Sequence, residues 1–525
     1  MANSRLQKLG SYLRPHWRTV LFGTIALLIV NILGVYIPLL IRDSIDQLQG
    51  EFSFDQLSRT ALWLLLLSAI MWCFRMFSRT SIFGVGRQVE FGLKQRIFQH
   101  LLKIEPNYFS NNTSGDLINR ATSDVDNIRR LVGFAVLSFI NIIFAYAFTL
   151  PVMLKISARL TILAIAVYPF MLLTVQLFSG KLRRYQEEIQ VKLSDLSELI
   201  QEDMSGMALI RIYAQENQER EAFRQKNQQL LEANLKLART RNLLFPVIEG
   251  ISYISLLILL FIGTKAIANG EITVGDFIAL VLFVERLVFP TALLGFTITA
   301  YQQGEVSIDR VEAITKAEPK IKNLPQAIVL PAAEIKGEIS ARNLSYTYPG
   351  SDTPALYDLN FDIKPGETVA IVGSIGSGKS TLANAIPRLL NVERGLFLDG
   401  CDITKLDLAS LRQAIAYVPQ DSFLFSTSIK NNIRYGEPLA DTAEVVQSAK
   451  QAQIHPEILT FPQEYDTLVG ERGITLSGGQ RQRTALARAL LADAKVLILD
   501  DALSSVDNET ATRILDSLSP ARAKK

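Results

Sequence analysis

The stretch VAIVGSIGSGKSTL, Val369–Leu382, fits the pattern G-x-x-x-x-G-K-[ST] of a phosphate-binding loop. Its β-branched start, Val369–Val372, predicts a strand, and the glycine-rich turn after it leads into a helix that opens at Lys379. Backbone N–H groups of such a turn, together with the positive end of the helix, hold an anion. The residues that we expect around a nucleotide are Gly373, Ser374, Gly376, Ser377, Gly378, Lys379, Ser380 and Thr381.

Two side chains of this loop carry the chemistry. Lys379 is placed to reach the β- and γ-phosphates, and the hydroxyl of Ser380 is placed to ligate Mg²⁺. A glycine-rich turn without a ligand is the alternative interpretation. The predicted strand before the loop and the predicted helix after it favour nucleotide binding.

Further motifs lie on either side of the loop. Tyr348, in SYTYPG, offers an aromatic face that can stack on a base. Gln420 follows the strand-like run Ala416–Pro419. Leu476–Gln480, LSGGQ, places two glycines ahead of a helix that we expect to begin near Arg481, which makes a second anion-binding device.

The apolar run Val496–Leu499 predicts a strand that ends at Asp500. A carboxylate in this position holds Mg²⁺ in phosphate-loop NTPases. Such a strand is weak evidence alone, but its place after the phosphate loop makes the set specific. We therefore expect Mg²⁺ at Ser380 and Asp500.

The N-terminal half has the composition of a membrane protein. Basic residues are concentrated before its first apolar stretch and in two long connections, 84–130 and 179–242. The positive-inside rule therefore predicts that the N-terminus and both connections are cytoplasmic. Six apolar stretches are long enough to cross a bilayer, which takes about 20 residues. They lie near 19–41, 60–83, 132–154, 158–178, 243–268 and 274–300.

The two long connections contain few helix breakers, and apolar residues recur in them at helical spacing. We expect them to extend the spans as helical stalks. One interruption is expected at Asn111–Asp116, where Thr113 or Ser114 is a plausible N-cap, and one at Met204–Gly206. Each interruption fits an ordinary hairpin turn as well as a short transverse helix.

Several polar residues lie inside the predicted spans. Arg75 and Arg79 are one helical turn apart on the second span. Buried charge is costly in a bilayer and often functional, but both lie toward the cytoplasmic end, which favours snorkelling to the headgroups. The same applies to Glu285 and Arg286 on the sixth span. Asn141 and Tyr146 are candidates for the lining of a translocation path.

Composition and charge narrow the function. The chain has 525 residues, 49% of them hydrophobic, and 54 basic against 51 acidic residues, so nothing indicates a nucleic-acid partner. The two cysteines lie far apart and indicate neither a disulfide framework nor a metal site. We expect a transmembrane domain over 1–303, a proline-containing linker over 304–335 and a cytoplasmic α/β domain over 336–525.

In their order, these motifs resemble those of the ATP-binding cassette (ABC) exporters, and the resemblance covers almost the whole chain. GSIGSGKST matches the Walker A motif and LSGGQ the signature. Gln420 matches the Q-loop, Asp500 the Walker B aspartate and Asp507 the D-loop. Tyr348 matches the residue that stacks on adenine, and Phe109–Leu117 resembles the first coupling region.

The resemblance implies a multidomain fold, with an all-α six-helix transmembrane domain and cytoplasmic helical stalks followed by an α/β P-loop nucleotide-binding domain. It implies ATP as the nucleotide, and it adds Gln420 to Ser380 and Asp500 around Mg²⁺. It also implies a dimer, in which each ATP lies between the Walker A of one chain and the signature of the other. The signature residues that would contact the partner's ATP are Leu476, Ser477, Gly478, Gly479 and Gln480.

In this family ATP closes the two nucleotide-binding domains, and access to the spans alternates by a population shift. The cargo implied by the resemblance is a lipid, an amphipathic small molecule or a peptide. The implied location is the bacterial plasma membrane, with the N-terminus and the ATP-binding domain in the cytoplasm.

One departure from the family pattern concerns hydrolysis. The family places a catalytic Glu directly after the Walker B aspartate, and here that position holds Asp501, whose side chain is shorter by one methylene, about 1.5 Å. A general base has to lie within hydrogen-bond reach of the attacking water. Asp501, with Gln420 as the other catalytic candidate, is therefore expected to be a poor base.

A second departure is the missing switch histidine. The histidines His16, His100 and His455 all precede Walker B. The chain ends 18 residues after Asp507, where family members normally continue. We therefore expect a truncated product, a fragment or a degenerate form.

A shortened base beside an intact signature is similar to the degenerate subunit of MdlA/MdlB-type heterodimeric exporters. We therefore expect an exporter subunit that binds ATP tightly at its own Walker A, hydrolyses it slowly, and pairs with a second ABC half-transporter more readily than with itself. An ATP-gated channel or regulator and a hydrolysis-deficient remnant are the alternatives. Importers are disfavoured, because they usually carry the two domains on separate chains.

Overall fold

The structure, a computed structural model, describes residues 2–48, 54–331 and 333–523. The outer ends of the two predicted domains, at 1 and 525, and one position of the predicted linker, 332, lie outside the described residues. The chain forms two compact units. The first extends to Leu101 and resumes over Gly115–Lys316, and the second comprises Leu102–Ser114 and the residues from Ala317 onward.

In its described residues the first unit consists of helices and turns. Two short π-helical segments, Arg120–Asp124 and Leu131–Ala135, lie on either side of one of its short helices. The helices up to Thr315 are α1 (Ala2–Leu13), α2 (Trp17–Leu48), α3 (Phe54–Leu101), α4 (Pro106–Asn111), α5 (Ser114–Asn119), α6 (Val125–Arg130), α7 (Val136–Ile165), α8 (Tyr168–Ile212), α9 (Glu216–Ala268) and α10 (Val274–Thr315).

Five helical runs among the described residues are long and apolar enough to cross a membrane. Four of them correspond to single predicted spans, on α2, α3, α9 and α10. The fifth run, Ser114–Ile212, contains the predicted spans 132–154 and 158–178. It is interrupted at Ser157, whose backbone is extended (φ −158°, ψ 109°), and at a turn after Ile165.

Contacts with α10 give the direction of α7. Leu131, just before α7, lies against Gly304, and further along the chain the hydroxyl of Tyr146 forms a hydrogen bond with that of Thr291. As the chain advances along α7, the residues of α10 that it contacts therefore lie nearer to the N-terminus of α10. The two helices are antiparallel.

Contacts of α8 show the opposite direction. Tyr168 donates to the carbonyl oxygen of Val284 at 2.7 Å, and Val175 lies against Gly295. As the chain advances along α8, the residues of α10 that it contacts lie nearer to the C-terminus of α10, so α8 is parallel to α10. The chain must reverse between α7 and α8, and the single long run contains two spans, which agrees with the six predicted.

The first predicted stalk interruption is present, but the helix also breaks earlier, between the end of α3 at Leu101 and the start of α4 at Pro106. Helix α4 ends at Asn111 and α5 begins at Ser114, so Thr113 occupies the N-cap position. The short helix α4 belongs to the second unit, where the backbone N–H of Lys320 donates to Glu105 Oε2 at 3.1 Å.

The second predicted interruption is wrong. Helix α8 continues without a break through Met204–Gly206 and ends at Ile212. One glycine costs a helix only about 1 kcal/mol relative to alanine, which a long helix tolerates. The chain turns instead at Ala214, whose φ of +53° lies in the left-handed region and cannot continue a helix.

The described residues of the second unit form two sheets. The antiparallel sheet has the order β2-β1-β3-β4, and the other is a parallel pair, β5-β6. The strands are β1 (Ile339–Tyr346), β2 (Leu356–Ile363), β3 (Leu396–Leu398), β4 (Cys401–Asp402), β5 (Ile415–Val418) and β6 (Val496–Leu499). The helices are α11 (Lys379–Ala385), α12 (Leu408–Gln413), α13 (Ile429–Arg434), α14 (Thr442–Gln451), α15 (His455–Ile458), α16 (Gly478–Leu491) and α17 (Asn508–Ala523).

The parallel pair joins two apolar cores. Ile415 and Val496, which start β5 and β6, pack in a cluster with the antiparallel sheet. Val418 and Leu499, at the other ends of the same strands, pack in a cluster with α13, α14 and α16. Because parallel strands point the same way, the residues that follow both strands meet at one edge.

Two predicted boundaries are corrected by the structure. Val369–Val372 is not part of either sheet, and Val372 is 88% exposed. A β-branched run favours extended backbone, but a strand also needs a partner for its hydrogen bonds, and none of the described strands pairs with this run. Residues 304–315, which we expected in the linker, continue α10.

Close packing in the first unit can be tested at Gly275, near the start of α10. The backbone N–H of Gly275 donates to Asp46 Oδ1 at 2.8 Å, and a Cβ on residue 275 would lie 2.4 Å from the carbonyl oxygen of Arg42. We expect Gly275→Ala to lower the free energy of unfolding by about 1–3 kcal/mol because backbone must move.

The matched control is Gly250→Ala on α9, where nothing lies within 4 Å of the added Cβ. That change is expected to be neutral or to stabilise by up to about 1 kcal/mol. Thermal unfolding in detergent, followed by tryptophan fluorescence, measures both. Equal midpoints for the two variants would contradict the packing at Gly275.

Candidate functional site

The side chain of Lys379 contacts the backbone of the glycine-rich turn that precedes it. Lys379 Nζ donates to the carbonyl oxygens of Gly373 and Ser374, both at 2.8 Å. Gly378 has a φ of +88°, and a Cβ there would lie 2.5 Å from the carbonyl oxygen of Ala355. The turn therefore needs glycine at 378 for both conformation and space.

The predicted metal-binding oxygens lie together. Ser380 Oγ, in the first turn of α11, donates to Asp500 Oδ1 at 3.0 Å. Tyr417 on β5 donates its hydroxyl to Asp500 Oδ2 at 3.2 Å. Burial, followed by the charge of Asp500, raises the pKa of Tyr417, so its hydroxyl stays protonated and remains a donor.

This donor set fits Mg²⁺ rather than a closed metal cage. Mg²⁺ prefers oxygen ligands and is usually held by one or two carboxylates together with substrate phosphates. Within residues 2–48, 54–331 and 333–523 there is no group of three or more His, Cys, Asp or Glu side chains that could hold a metal ion. The Ser380 hydroxyl and the Asp500 carboxylate, beside a phosphate loop, are oxygen ligands of the kind that Mg²⁺ prefers.

The residue after Asp500 faces the Q-loop position. Gln420 Nε2 donates to Asp501 Oδ2 at 3.4 Å, which is a long hydrogen bond. Asp501 has a φ of +54°, a left-handed conformation that Asp tolerates better than most residues. Its backbone oxygen accepts hydrogen bonds from the N–H and Oγ of Ser504 at 3.3 and 3.0 Å.

Tyr348 lies beside the same helix as Ser380. Its hydroxyl is 3.2 Å from Thr381 Oγ1, and its ring packs edge-on against Tyr346 with centroids 5.1 Å apart. The side chain is still partly exposed. The structure thus places Tyr348 beside the helix that follows the phosphate loop.

The LSGGQ motif starts helix α16. We expected this helix to begin near Arg481, but it begins at Gly478. Ser477 caps it, since Ser477 Oγ accepts from the N–H of Gln480 at 3.2 Å and Gln480 Oε1 accepts from the N–H of Ser477 at 2.9 Å. This reciprocal capping box places both glycines inside the first turn rather than ahead of it.

A second contact fixes the far side of the motif. Gln480 Nε2 donates to Glu457 Oε2 at 2.9 Å, and Arg483 forms an ion pair with Glu457 at 2.6 Å. The Gln480 side chain is therefore engaged within its own domain. Leu476, just before the cap, is buried in the core around α16.

The signature helix packs directly on the segment that contains the D-loop. A Cβ on Gly479 would lie 2.7 Å from the carbonyl oxygen of Ser505. The buried Gln482 donates to Ser504 Oγ at 3.0 Å and accepts from the N–H of Ser505 at 2.9 Å. These contacts hold 504–505 against the first turns of α16.

Asp507 has a structural partner of its own. Its Oδ1 accepts from the backbone N–H of Thr510 at 2.9 Å, and this hydrogen bond lowers the pKa of Asp507. Because α17 begins at Asn508, Asp507 occupies the N-cap position of that helix.

The predicted site residues thus form two groups. One group surrounds the phosphate loop and comprises Tyr348, Gly373–Thr381, Gln420, Asp500 and Asp501. The other is the signature with its D-loop contacts. Within the described part of the chain no hydrogen bond joins Leu476–Gln480 directly to Gly373–Thr381. The connection runs through Ser504, which bonds to both Gln482 and Asp501.

Family profiles match both halves of the chain. The profile described as the ABC transporter transmembrane region matches residues 20–291, and the one described as ABC transporter matches residues 356–504. This chain belongs to the ABC transporters. It carries the membrane and ATP-binding regions of a half-transporter in one polypeptide, and it is an ATPase whose activity is coupled to transport across a membrane.

Similar proteins span nearly the whole transporter. The probable multidrug resistance ABC transporter ATP-binding/permease protein YheI of Bacillus subtilis is 31% identical over 99% of this chain and 89% of its own length. The ATP-dependent lipid A-core flippase of Syntrophus aciditrophicus is 32% identical, covering 98% and 84%. The multidrug resistance-like ATP-binding protein MdlA of Escherichia coli is 30% identical, covering 97% and 86%.

A solved structure shows the same fold. The transporter superimposes on a bacterial Atm1-family ABC exporter with ATP bound, with a TM-score of 0.74 and 24% sequence identity. The match covers 97% of this chain and 89% of the other. A helical membrane domain followed by an α/β nucleotide-binding domain is therefore the fold of this transporter.

Sequence reasoning missed three side chains of the site, Tyr417, Glu457 and Gln482. Tyr417 lies in the strand-like run before Gln420, but only the parallel pairing of β5 with β6 brings it to Asp500. Glu457 lies on α15, far from LSGGQ in the chain. Gln482 follows the signature by two residues, and this proximity to the motif is the sequence signal that could have identified it.

The packing of Gly479 can be tested against that of Gly478. A Cβ on Gly479 would meet the Ser505 backbone at 2.7 Å, whereas a Cβ on Gly478 would lie 3.5 Å from Ser505, an ordinary contact. We expect Gly479→Ala to loosen 501–507, because backbone atoms have to move apart, and Gly478→Ala to leave this segment unchanged.

Hydrogen exchange of the peptide spanning 501–507, measured without nucleotide, compares the two variants. Without nucleotide the signature has no ATP to contact, so the exchange reports only the packing of the signature helix on 501–507. Faster exchange only in Gly479→Ala supports the contact. The same exchange in both variants and in the unchanged protein would show that this close approach does not exist.

Proposed function

We propose that this transporter is the ATP-binding and permease subunit of an exporter for lipophilic or amphipathic molecules, and the catalytically degenerate half of a heterodimer. It would bind Mg²⁺-ATP at its own Walker A, hydrolyse it slowly, and contribute its signature to a partner half-transporter that has the glutamate. The hydrogen bond from Ser380 Oγ to Asp500 Oδ1, at 3.0 Å, carries the nucleotide part of this proposal.

That contact supports Mg²⁺-ATP because it joins the two ligand types that such a site requires. Bound Mg²⁺ would neutralise charge on the β- and γ-phosphates. Ser380 and Asp500 would hold the ion, and Gln420, whose amide already faces Asp501, would complete the protein ligands. Lys379 would leave the carbonyl oxygens of the turn and donate to phosphate oxygens.

The remaining loop residues would position the nucleotide. Backbone N–H groups of Gly373–Thr381 would surround the phosphates at the positive end of α11. Tyr348 would stack on the adenine, since it is held beside Thr381 and keeps a partly exposed face.

The signature group supports the dimer. In the first turn of α16 the N–H groups of Gly478 and Gly479 are available to an anion, because the capping box uses those of Ser477 and Gln480. The hydroxyl of Ser477 and the backbone of Gly478 and Gly479 would contact the γ-phosphate of ATP bound to the partner. A phosphate loop and a signature that share no direct hydrogen bond within one chain are suited to binding two different nucleotides.

The side chain at 501 supports slow hydrolysis. A general base has to approach the attacking water within about 2.6–3.2 Å. Asp501 is about 1.5 Å shorter than Glu, and its carboxylate already accepts from Gln420. The water would have to move toward Asp501 and away from the γ-phosphate.

Location and cargo follow from the spans and the relatives. We place the transporter in the bacterial plasma membrane. Basic residues around the N-terminus and both stalks favour a cytoplasmic location for its nucleotide-binding domain. The names of the relatives give multidrug resistance and lipid A-core flipping, so an amphipathic cargo is the common class.

Replacement of Asp501 by Glu tests the degenerate site. We expect the purified chain alone to hydrolyse ATP slowly and Asp501→Glu to raise its rate at least about tenfold, because the carboxylate regains its reach. Release of phosphate in detergent measures the rate. Asp501→Asn, of the same size but without a base, should show no increase.

Lys379→Ala is the control for the nucleotide itself. It should abolish photo-crosslinking of a radiolabelled ATP analogue, whereas Asp501→Glu and Asp501→Asn should both keep it. A chain that already turns over ATP as fast alone as in Asp501→Glu would refute the degenerate assignment. Unchanged crosslinking in Lys379→Ala would refute the nucleotide site.

Tyr417 gives a test of the metal ligands. Its hydroxyl orients Asp500, and loss of an outer hydrogen bond to a metal ligand commonly costs 10–100-fold in metal affinity. We expect Tyr417→Phe to raise the Mg²⁺ concentration for half-maximal ATP binding about tenfold. Titration of trinitrophenyl-ATP fluorescence with Mg²⁺ measures it.

The matched control is Tyr465→Phe. It removes a hydroxyl that lies 2.7 Å from His455 Nδ1, away from the phosphate loop in the same unit. Its Mg²⁺ midpoint should equal that of the unchanged protein. A Tyr417→Phe midpoint that also stays in place would mean that Asp500 is not held by Tyr417 when Mg²⁺ binds.

A further inference from the structure

The first unit contains a cavity of about 450 Å³ between α2, α3, α7 and α10. Pockets of about 300–1,000 Å³ are typical of small-molecule sites. Much of the lining is apolar, with Leu27, Ile37 and Phe289 among the contributing residues. A hydrocarbon chain could therefore lie along part of this wall.

The polar part of the lining is cationic. Arg75 and Arg79 from α3 and Arg286 from α10 all line this one cavity. None of the three forms an ion pair with a carboxylate within the described part of the chain. Arg75 has a weak acceptor, Met71 Sδ, at 3.7 Å. Glu285, the neighbour of Arg286, is exposed and does not line the cavity.

Arg286 is held in place by neutral groups. Its Nη2 donates to the carbonyl oxygen of Asn31 at 3.0 Å and to Asn31 Oδ1 at 3.2 Å. Asn31 is buried and donates in turn to Asn141 Oδ1 at 3.1 Å. A Cβ on Gly34 would lie 1.9 Å from Arg286 Nη1, so the absence of a side chain at 34 makes room for the guanidinium.

These contacts fix the orientation of the guanidinium without neutralising it. Asparagine and backbone oxygens accept hydrogen bonds but carry no net charge. Asn31 and Asn141 also line the cavity and are neutral. The site therefore offers three positive charges to a ligand.

An anion is the ligand that this arrangement favours. Cations in a membrane domain are costly unless they are paired or solvated. Arginine is well suited to phosphate and carboxylate, because its planar fork donates two parallel hydrogen bonds. Arg75, Arg79 and Arg286, which we expected to snorkel to the headgroups, all line this one cavity.

We propose that the cavity lined by Arg75, Arg79 and Arg286 binds the anionic head of an amphipathic molecule, a phosphate or carboxylate joined to a hydrocarbon chain. The head would lie on the guanidinium groups and the chain along the apolar wall. The inference deepens the proposed export function, because it names the class of cargo. Anionic membrane lipids and free amphipathic anions share this chemistry.

Binding can be measured without ATP. The full chain in uncharged maltoside detergent is titrated with a fluorescent phosphatidic acid, and with a fluorescent phosphatidylcholine of the same chains, by anisotropy. We expect the phosphatidic acid to bind at least tenfold more tightly. Equal affinities for the two probes would overturn the proposal, because the hydrocarbon would then account for all binding.

The variants separate the arginines from general charge. The double variant Arg75→Gln/Arg79→Gln, and Arg286→Gln, should each weaken binding of the phosphatidic acid at least tenfold and leave phosphatidylcholine within twofold. Arg286→Lys should retain part of the affinity, since the charge remains but the fork is lost. Arg159→Gln is the matched control, since Arg159 is exposed in the same unit and does not line the cavity.

Folding is checked by thermal unfolding of each variant. If Arg286→Gln fails to fold, the double variant still decides the question, because the structure shows no hydrogen bond from either of its arginines to Asn31 or Asn141. Unchanged phosphatidic acid binding in a folded double variant would overturn the proposal.

Competition separates the two sources of the anion. Displacement of the probe by dodecyl phosphate, with no displacement by inorganic phosphate, supports a free amphipathic anion. Displacement by unlabelled phosphatidic acid alone supports a membrane lipid. Displacement by inorganic phosphate as effective as that by either amphiphile would overturn the proposal, because no hydrocarbon would then be required.

The same preparations keep this inference distinct from the proposed function. Lys379→Ala should lose ATP crosslinking and keep probe binding, whereas the arginine variants should keep ATP crosslinking. Loss of probe selectivity with intact ATP crosslinking refutes the cavity alone. Intact selectivity without ATP crosslinking in the unchanged protein refutes the proposed function alone.

Discussion

The hydrogen bond between Ser380 and Asp500 is the interaction on which the organisation of the ATP-binding unit depends. It joins the helix after the phosphate loop to the end of strand β6, two segments separated by 120 residues. The parallel pairing of β5 with β6 adds Tyr417 and Gln420 to the same edge. Catalytic and metal-binding candidates from three segments, the start of α11 and the ends of β5 and β6, meet there because parallel strands end on one side.

The structure of the membrane unit depends on a different constraint, the need to satisfy backbone hydrogen bonds inside the bilayer. A bilayer core satisfies no backbone hydrogen bonds, so each crossing must be helical, and changes of direction must occur in short segments. The chain reverses between Tyr146 on α7 and Tyr168 on α8, a stretch that contains the extended Ser157, while both helices pack on α10. Small residues on α10, such as Gly295 and Gly304, admit the neighbouring side chains closely.

Much of this arrangement could be predicted from local sequence. Hydropathy alone located the spans, and motif order located the phosphate loop, the signature and the Asp500 strand. Two predictions failed for different reasons. The run at Val369 has strong β-propensity but no paired neighbour, and the long helix α8 continues through Gly206 because one glycine costs it little.

The same limit applies inside the site. Tyr417, Glu457 and Gln482 matter through what they touch, and their partners lie 83, 23 and 22 residues away along the chain. No spacing rule selects such residues from one sequence. Charged residues in spans were visible, but their convergence on one cavity required the packing of α2, α3, α7 and α10.

The ATP-binding unit can lose its base without losing its signature, because the two depend on different atoms. The signature helix is held by its capping box, by Gln482 and by the approach of Gly479 to Ser505. Its link to residue 501 passes through the backbone oxygen of Asp501, which accepts from Ser504. Any residue at 501 keeps that oxygen. A change confined to the side chain at 501 therefore leaves the capping box and the Gln482 contacts of the signature helix in place.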